Sequence, residues 1–226
     1  MFKKKISFTV LIVAVIFTLI LSACNTAAAV EPTAAPVTAA EEKPFGAADC
    51  APNCTYADMV MCFPQLGAES DWRTADTASF KAEAEKLGFQ LVFSDAQQKQ
   101  ENQISAVRAC IQQGVSVIAL PPVVEDGWDA VLTEANNAGI PVIIVDRSVS
   151  ADPSLYVSHI GSDMVLEGQR AAEEFNKKFP DGAKILELSG TTGSGAAVGR
   201  AEGFRTALNS NIEIIDSQTG NFTRAE

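Results

Sequence analysis

The stretch "AGIPVIIVDRS", residues 138–148, decides the fold class of this chain. Gly139 closes a helical pattern, because glycine readily adopts the left-handed conformation that ends a helix. Residues 141–145 then form an unbroken apolar run, which is too short for a helix and typical of a strand buried on both faces. Asp146 and Arg147 follow directly. A buried strand that ends in charged side chains predicts a parallel sheet with polar groups at the carboxyl ends of its strands.

The same alternation extends in both directions along the chain. Apolar runs predict strands at 59–63, 89–93, 115–120, 156–160, 184–188 and 212–216. Amphipathic segments predict helices at 71–87, 98–113, 127–138, 164–179 and 199–208. Units that repeat about every 25 to 30 residues are typical of successive βαβ crossovers. The sequence therefore predicts an α/β fold built from parallel sheets.

Two groups of these units are predicted. The first occupies residues 56–161 as an N-terminal lobe, and the second occupies residues 162–226 with only two strands. A two-stranded sheet cannot cover its own apolar faces. We therefore expect the second lobe to be partial, with further βα units following residue 226 in the natural protein.

The N-terminus has the pattern of an export signal. Three lysines precede an apolar run of about 16 residues, shorter than the roughly 20 that a membrane-spanning helix needs. The run ends in Leu21-Ser22-Ala23-Cys24, which is similar to the lipidation site of bacterial lipoproteins. We predict a signal peptide at 1–23, lipidation of Cys24, and a position on the outer face of the cytoplasmic membrane or in the periplasm. A transmembrane anchor is the alternative.

Residues 24–55 are predicted to form a flexible, lipid-anchored linker. Most of this segment is rich in Ala, Thr, Pro and Glu, and such a composition cannot bury a core. The whole chain carries a formal net charge of −11, which argues against nucleic acid as a partner because nucleic acid requires a basic surface.

Four cysteines follow Cys24, in a chain that the export signal would send to an oxidising compartment. Cys50 and Cys54 flank a predicted turn. They could form a disulfide with each other or remain two unpaired thiols, and the sequence favours neither alternative. Cys62 lies in a predicted strand and Cys110 in a predicted helix, so we expect two buried free thiols there. No set of cysteines and histidines has the spacing of metal ligands, and no metal is predicted.

The loops that follow the strands carry acids, arginines, amides and aromatic rings. "PQLGAESDWR", residues 64–73, provides Gln65, Glu69, Trp72 and Arg73 after the first strand. Carboxylates accept hydrogen bonds from hydroxyl groups and arginines donate to them, while a flat aromatic ring covers the C–H face of a sugar. This mixture predicts a site for a neutral, hydroxyl-rich ligand.

Enzymatic and nucleotide-binding functions are disfavoured by the same loops. His159 stands in a predicted strand, where a packed or hydrogen-bonded role is favoured over that of a catalytic base. The segment Gly193-Ser194-Gly195 lacks the third glycine of a dinucleotide fingerprint and the Lys-Ser/Thr end of a Walker loop, so we expect a flexible connection into a helix. We predict a binding protein with no catalytic residue and no cofactor.

Four segments carry a resemblance to a known family: "GAESDWRTADT", "DAQQKQENQISAVR", "PPVVEDGWDAVLTEA" and "IPVIIVDRS". The chain resembles the type I periplasmic sugar-binding proteins of ABC importers, and is most similar to their galactofuranose-binding branch. The resemblance implies two Rossmann-like lobes joined by a three-stranded hinge, with a monosaccharide held in the cleft between them. It also implies that the last third of the family's fold would follow residue 226.

The resemblance assigns further site residues and partners. It implies that Asp146 and Arg147 bind ring hydroxyls, that Arg200 and Phe222 contribute from the second lobe, and that Glu69, Trp72 and Arg73 contribute from the first. The implied partners are an ABC permease and its ATPase, met by a monomeric binding protein. A sensor that presents the bound sugar to a chemoreceptor or a kinase is the alternative.

Overall fold

The computed structural model describes residues 53–224. The predicted signal peptide, the lipidation of Cys24 and the linker up to residue 52 lie outside the described residues. Within the described part, no helix combines the length and apolar character needed to cross a membrane.

The first α/β unit is a five-stranded parallel sheet with its connecting helices. The strands are β1 Val60–Gln65, β2 Gln90–Asp95, β3 Val117–Leu120, β4 Val142–Val145 and β5 Ser158–Ile160. Their order in the sheet is β2-β1-β3-β4-β5, so β2 lies on one side of β1 and the later strands follow on the other side. The helices are α1 Asp71–Leu87, α2 Gln100–Gln113 and α3 Asp129–Asn137.

The second α/β unit contains two parallel strands, β6 Ala183–Ser189 and β7 Ile212–Thr219, and two helices, α4 Met164–Lys178 and α5 Gly195–Ala207. α5 begins four residues earlier than predicted because Ser194 caps it. The buried Ser194 hydroxyl accepts a hydrogen bond from the Ala197 N–H at 3.3 Å. The glycine and serine segment predicted as a flexible connection is therefore a defined helix start.

The predicted strands and helices are all present, with ends that differ by a few residues. Gly88 and Gly114 end α1 and α2 in the left-handed conformation, as expected from the sequence. The main core of the first unit lies between the sheet and α2 and α3, and its largest side chain is Trp128. On the other face of the sheet, the Phe63 ring stacks on Phe80 with centroids 3.8 Å apart.

The buried Gln103 of α2 ties the carboxyl ends of β1 and β3 together. Its amide nitrogen donates to the carbonyl oxygens of Pro64 at 2.7 Å and Pro121 at 2.6 Å, and its oxygen accepts from the Val123 N–H at 3.0 Å. These main-chain groups lie at the strand ends, beyond the sheet hydrogen bonds. One side chain therefore satisfies three buried groups at the edge where the polar loops emerge.

Cys62 and Cys110 form a disulfide, so the prediction of two free thiols was wrong. The bond joins β1 to α2 across a sequence separation of 48 residues, with Cα atoms 6.2 Å apart. The packing of α2 against β1 brings the two thiols together, and neither their spacing nor their local sequence indicates it. Cys54 is also disulfide-bonded. Its predicted partner, Cys50, lies outside the described residues.

Replacing both Cys62 and Cys110 by alanine is expected to lower the free energy of unfolding by about 2–4 kcal/mol, because the crosslink restricts the unfolded chain. Urea unfolding of the oxidised protein and the double variant measures the difference. Reductant should destabilise the parent protein more than the variant, which keeps only the Cys54 disulfide. Equal midpoints for the parent with and without reductant would contradict the crosslink.

Gln103→Leu is expected to destabilise the protein by about 2–4 kcal/mol, since three buried main-chain groups lose their partner. Gln112→Leu is the matched control, because Gln112 is an exposed residue of the same helix. Chemical unfolding of both variants tests the role of Gln103. Equal stability of the two variants would show that the Gln103 hydrogen bonds contribute nothing.

Candidate ligand-binding site

The polar loops meet at a cavity of about 370 Å³ where the two α/β units face each other. β1 and β4 both end at this edge of the first sheet, as expected for parallel strands. Seven of the eight predicted ligand contacts line the cavity: Glu69, Trp72, Arg73, Asp146, Arg147, Arg200 and Phe222.

A larger groove of about 530 Å³ runs along β6 between α4 and α5. Its walls are mainly apolar and include the strongly exposed Leu186 and Leu188. Side chains of this kind suit the packing of further protein better than the binding of a polar molecule. The smaller, charged cavity is therefore the candidate site.

The start of α1 buries one predicted site residue, Arg73, and exposes another, Trp72. Ser70 caps the helix, and its hydroxyl accepts a hydrogen bond from the Arg73 N–H at 3.2 Å. Arg73 turns inward and is only 2% exposed, whereas Trp72 is 57% exposed at the rim of the cavity. The Arg73 guanidinium lies 4.6 Å from the Trp72 ring centroid, within cation–π range.

Glu69, Arg73, Asp146 and Arg147 form a buried charge cluster in which acids and arginines alternate. Arg73 donates to Asp146 Oδ2 at 2.6 Å and lies 3.4 Å from Glu69 Oε1. Arg147 donates to the same Glu69 oxygen at 3.0 Å, and its Nε lies 3.9 Å from Asp146 Oδ2. Each carboxylate therefore bridges both arginines, and the charges within the cluster balance.

Arg147 is buried within the charge cluster. Burial lowers the pKa of Arg147 from its ordinary value, and the positive charge of Arg73 acts in the same direction. The negative charges of Glu69 and Asp146 oppose this shift. Guanidinium groups remain protonated in proteins. Arg147 is therefore a permanent donor beside the cavity.

Asp146 occupies an uncommon backbone conformation, with φ of 63° directly after β4. Positive φ is unfavourable for residues other than glycine, and it is tolerated where surrounding contacts hold it in place. The Asp146 N–H donates to the Ile160 carbonyl of β5 at 2.8 Å. The turn carries the carboxylate away from the sheet and into contact with Arg73.

One oxygen of Glu69 has no hydrogen-bond partner among residues 53–224. Oε1 bridges the two arginines, whereas Oε2 is buried and unpaired. A buried acceptor without a partner costs free energy comparable to a lost hydrogen bond. Glu69 also lines the cavity, so a donor that reached this oxygen from a bound molecule would satisfy it.

The second α/β unit forms the opposite wall. Arg200 of α5 donates to Glu167 of α4 at 2.8 Å, and this hydrogen bond holds the pKa of Glu167 below its usual value. The Phe222 ring centroid lies 5.0 Å from the Arg147 guanidinium, within cation–π range. The two units also touch outside the cavity, where the Glu125 N–H donates to the Gly193 carbonyl at 2.8 Å.

Gln65 lies apart from the other predicted site residues. Its side chain is buried, and its amide donates to Asp76 at 2.9 Å and to Thr77 at 3.0 Å. Asp76 in turn accepts from Arg73 at 3.2 Å. Gln65 therefore supports the charge cluster indirectly, through Asp76, and is not among the residues that line the cavity.

Several residues of the site were missed by the sequence reasoning. Asp76 lies one helical turn after Arg73, and this spacing alone favours an ion pair. Ser162 and Glu167 also line the cavity, at the point where the chain passes from β5 into α4. The rule that ligand groups follow strand ends would have included Ser162. Within residues 53–224, no group of three or more potential metal ligands is found.

Comparison with known proteins connects this geometry to a family. Residues 62–226 match the periplasmic binding protein domain. The chain is 45% identical over 174 residues to the galactofuranose-binding protein YtfQ of Escherichia coli (strain K12), covering 75% of this chain and 55% of YtfQ. It is 35% identical over 169 residues to the fructose import binding protein FruE of Bifidobacterium longum (strain NCC 2705), covering 73% and 52%.

Solved structures show the same fold. A galactofuranose binding protein superposes with a TM-score of 0.71 at 45% identity, covering 74% of this chain and 57% of that protein. The binding protein of the arabinose ABC transporter from Shewanella sp. ANA-3, bound to α- and β-L-arabinofuranose, superposes with a TM-score of 0.70 at 48% identity, covering 74% and 56%. The chain spans about half the length of the relatives that it matches. It belongs to the periplasmic binding protein domain family.

Proposed function

We propose that this chain belongs to the substrate-binding protein of an ABC sugar importer, which captures a monosaccharide between two lobes and delivers it to a permease and its ATPase. The observation that carries the proposal is the charged cavity that seven predicted sugar contacts line. The lobes are assigned to residues 56–161 and 162–226.

The charge balance of the cavity supports a neutral ligand. The cavity is lined by three arginines and three acids: Arg73, Arg147, Arg200, Glu69, Asp146 and Glu167. Their charges balance, so the cavity favours neither an anionic nor a cationic ligand. Hydroxyl groups can both donate to the carboxylates and accept from the guanidinium groups. A polyhydroxylated molecule therefore satisfies both kinds of group.

The aromatic side chains support a ring-shaped ligand of modest size. Trp72 is partly exposed at the cavity, and Phe222 lines it from the second unit. Flat aromatic surfaces match the C–H faces of sugar rings. A volume of about 370 Å³ is near the lower end for small-molecule sites, which favours one sugar ring over an oligosaccharide.

The furanose ring form is proposed from the relatives. Among the similar structures are a galactofuranose binding protein, a protein bound to L-arabinofuranose and a Mycobacterium smegmatis protein in complex with β-D-fucofuranose. All three are at least 45% identical to this chain. We propose a galactofuranose-like aldose as the ligand.

The proposed location is the cell envelope, with the protein held by a lipid on Cys24 at the outer face of the cytoplasmic membrane or within the periplasm. The export and lipidation pattern of residues 1–24 supports this proposal. The family is one of solute-binding proteins. We propose a monomer that binds its ligand without chemical change.

Calorimetric titration of the whole protein with methyl β-D-galactofuranoside and methyl β-D-galactopyranoside tests both the ligand class and the ring form. The methyl group locks each ring, which free galactose does not. Free L-arabinose and D-ribose widen the search, and sucrose serves as a disaccharide control. We expect binding heat with the furanoside and none with sucrose. No heat with any monosaccharide would overturn the proposed function.

Asp146→Asn is expected to weaken monosaccharide binding by about 10- to 100-fold, because a hydrogen bond to a charged acceptor is replaced by a neutral one. The shape of the side chain is retained. Asp181→Asn makes the same chemical change at an exposed turn and serves as the control. If calorimetry gives the same affinity for both variants, Asp146 is not a ligand contact.

A further inference from the structure

His159, the single histidine of the chain, lies beside the cavity without lining it. It belongs to β5, the edge strand from which the chain passes through residues 161–163 into α4 of the second unit. Its Nε2 lies 3.1 Å from the main-chain carbonyl oxygen of Asp146. A carbonyl oxygen only accepts hydrogen bonds, so this contact requires the hydrogen to be on Nε2.

β5 thus holds both main-chain polar groups of Asp146. The Asp146 N–H donates to the Ile160 carbonyl at 2.8 Å, and the Asp146 carbonyl faces His159 Nε2. Asp146 has φ of 63°, a conformation that an aspartate keeps only when neighbouring groups compensate for its cost. The hydrogen bond that the Asp146 N–H donates to Ile160 anchors one side of this turn, and the imidazole anchors the other.

Gly161 shows how closely the crossing chain approaches Asp146. A Cβ atom at this position would overlap the Asp146 carbonyl oxygen and lie 2.8 Å from His159 Nε2. Only glycine therefore lets the chain pass this point while the histidine contact is made. Asp146, His159 and Gly161 form one packed junction at the passage between the two units.

We propose that His159 is a positioning residue for ligand binding. By donating Nε2–H to the Asp146 carbonyl, it keeps Asp146 in the left-handed conformation that directs the carboxylate to Arg73, 2.6 Å away, and to the cavity. His159 does not contact the ligand. The part of the inference that concerns affinity rests on the proposed sugar-binding function.

The expected effect is moderate, because His159 is exposed and the bond joins neutral groups. One such hydrogen bond corresponds to about fivefold in an equilibrium constant. His159→Ala is expected to weaken monosaccharide binding by about five- to tenfold. His159→Gln places an amide N–H₂ at a similar reach and should restore affinity to within about twofold of the parent.

The readouts are ligand affinity by calorimetry and the thermal midpoint of each variant. Ser158→Ala, the preceding residue of the same exposed strand, is the control for general disturbance of β5. A structural effect alone would lower the thermal midpoint and would not be reversed by glutamine. Parent-like affinity of His159→Ala, or equal weakening by alanine and glutamine, would overturn the positioning role.

Nitrogen NMR of the imidazole tests the hydrogen bond without any sugar. Because the chain has one histidine, its ring signals need no assignment. We expect the neutral ring to carry its hydrogen on Nε2. A neutral ring protonated on Nδ1, or an even mixture of the two forms, would overturn the inference. If no monosaccharide binds the parent protein, the proposed function fails, and the NMR result still decides whether this contact exists.

Discussion

The ion pair between Arg73 and Asp146 connects the two strand ends on which the cavity depends. Arg73 comes from the helix that follows β1, and Asp146 comes from the turn after β4, with β3 between them. A buried arginine is tolerated only when its charge is met. Asp146, Glu69 and Asp76 surround this guanidinium, so the loop after β1, the start of α1 and the turn after β4 are held in one arrangement.

This arrangement means that the protein organises the site largely with its own charges. Each acid of the charge cluster forms an ion pair with an arginine of the same chain, without any ligand. Side chains that are fixed in this way lose little conformational freedom when a ligand arrives. Two neutral amides support this arrangement: Gln103 holds the ends of β1 and β3 together, and Gln65 holds Asp76, which pairs with Arg73.

Much of the fold could be predicted from the sequence because its signals are local. Short apolar runs, amphipathic segments and glycine at helix ends identified the strands and helices of both units. The site residues were accessible for a related reason, since parallel strands collect their carboxyl-terminal loops at one edge. Most of the predicted contacts follow that rule, whereas Arg200 lies within α5 and was predicted from the resemblance to a family.

The parts that were missed depend on packing between distant segments. The pairing of Cys62 with Cys110 requires the position of α2 on β1, which no local pattern contains. Gln65 illustrates a different limit: it lies at the end of β1, close to its predicted position, but its side chain donates to Asp76 and does not line the cavity. Strand position shows where a residue lies, whereas side-chain direction follows from which neighbours need a partner.

The two oxygens of Glu69 differ in their contacts, and under the proposed function this difference has a consequence for selectivity. One oxygen pairs with both Arg73 and Arg147, and these ion pairs hold the carboxylate in a fixed orientation. Its other oxygen is buried and lacks a donor within the described chain. Under the proposed function, a deoxy sugar without a hydroxyl at that point would leave this acceptor unsatisfied, and such omissions are rejected far more strongly than small differences in apolar shape. The cavity would thus select against sugars that lack a hydroxyl group at this position.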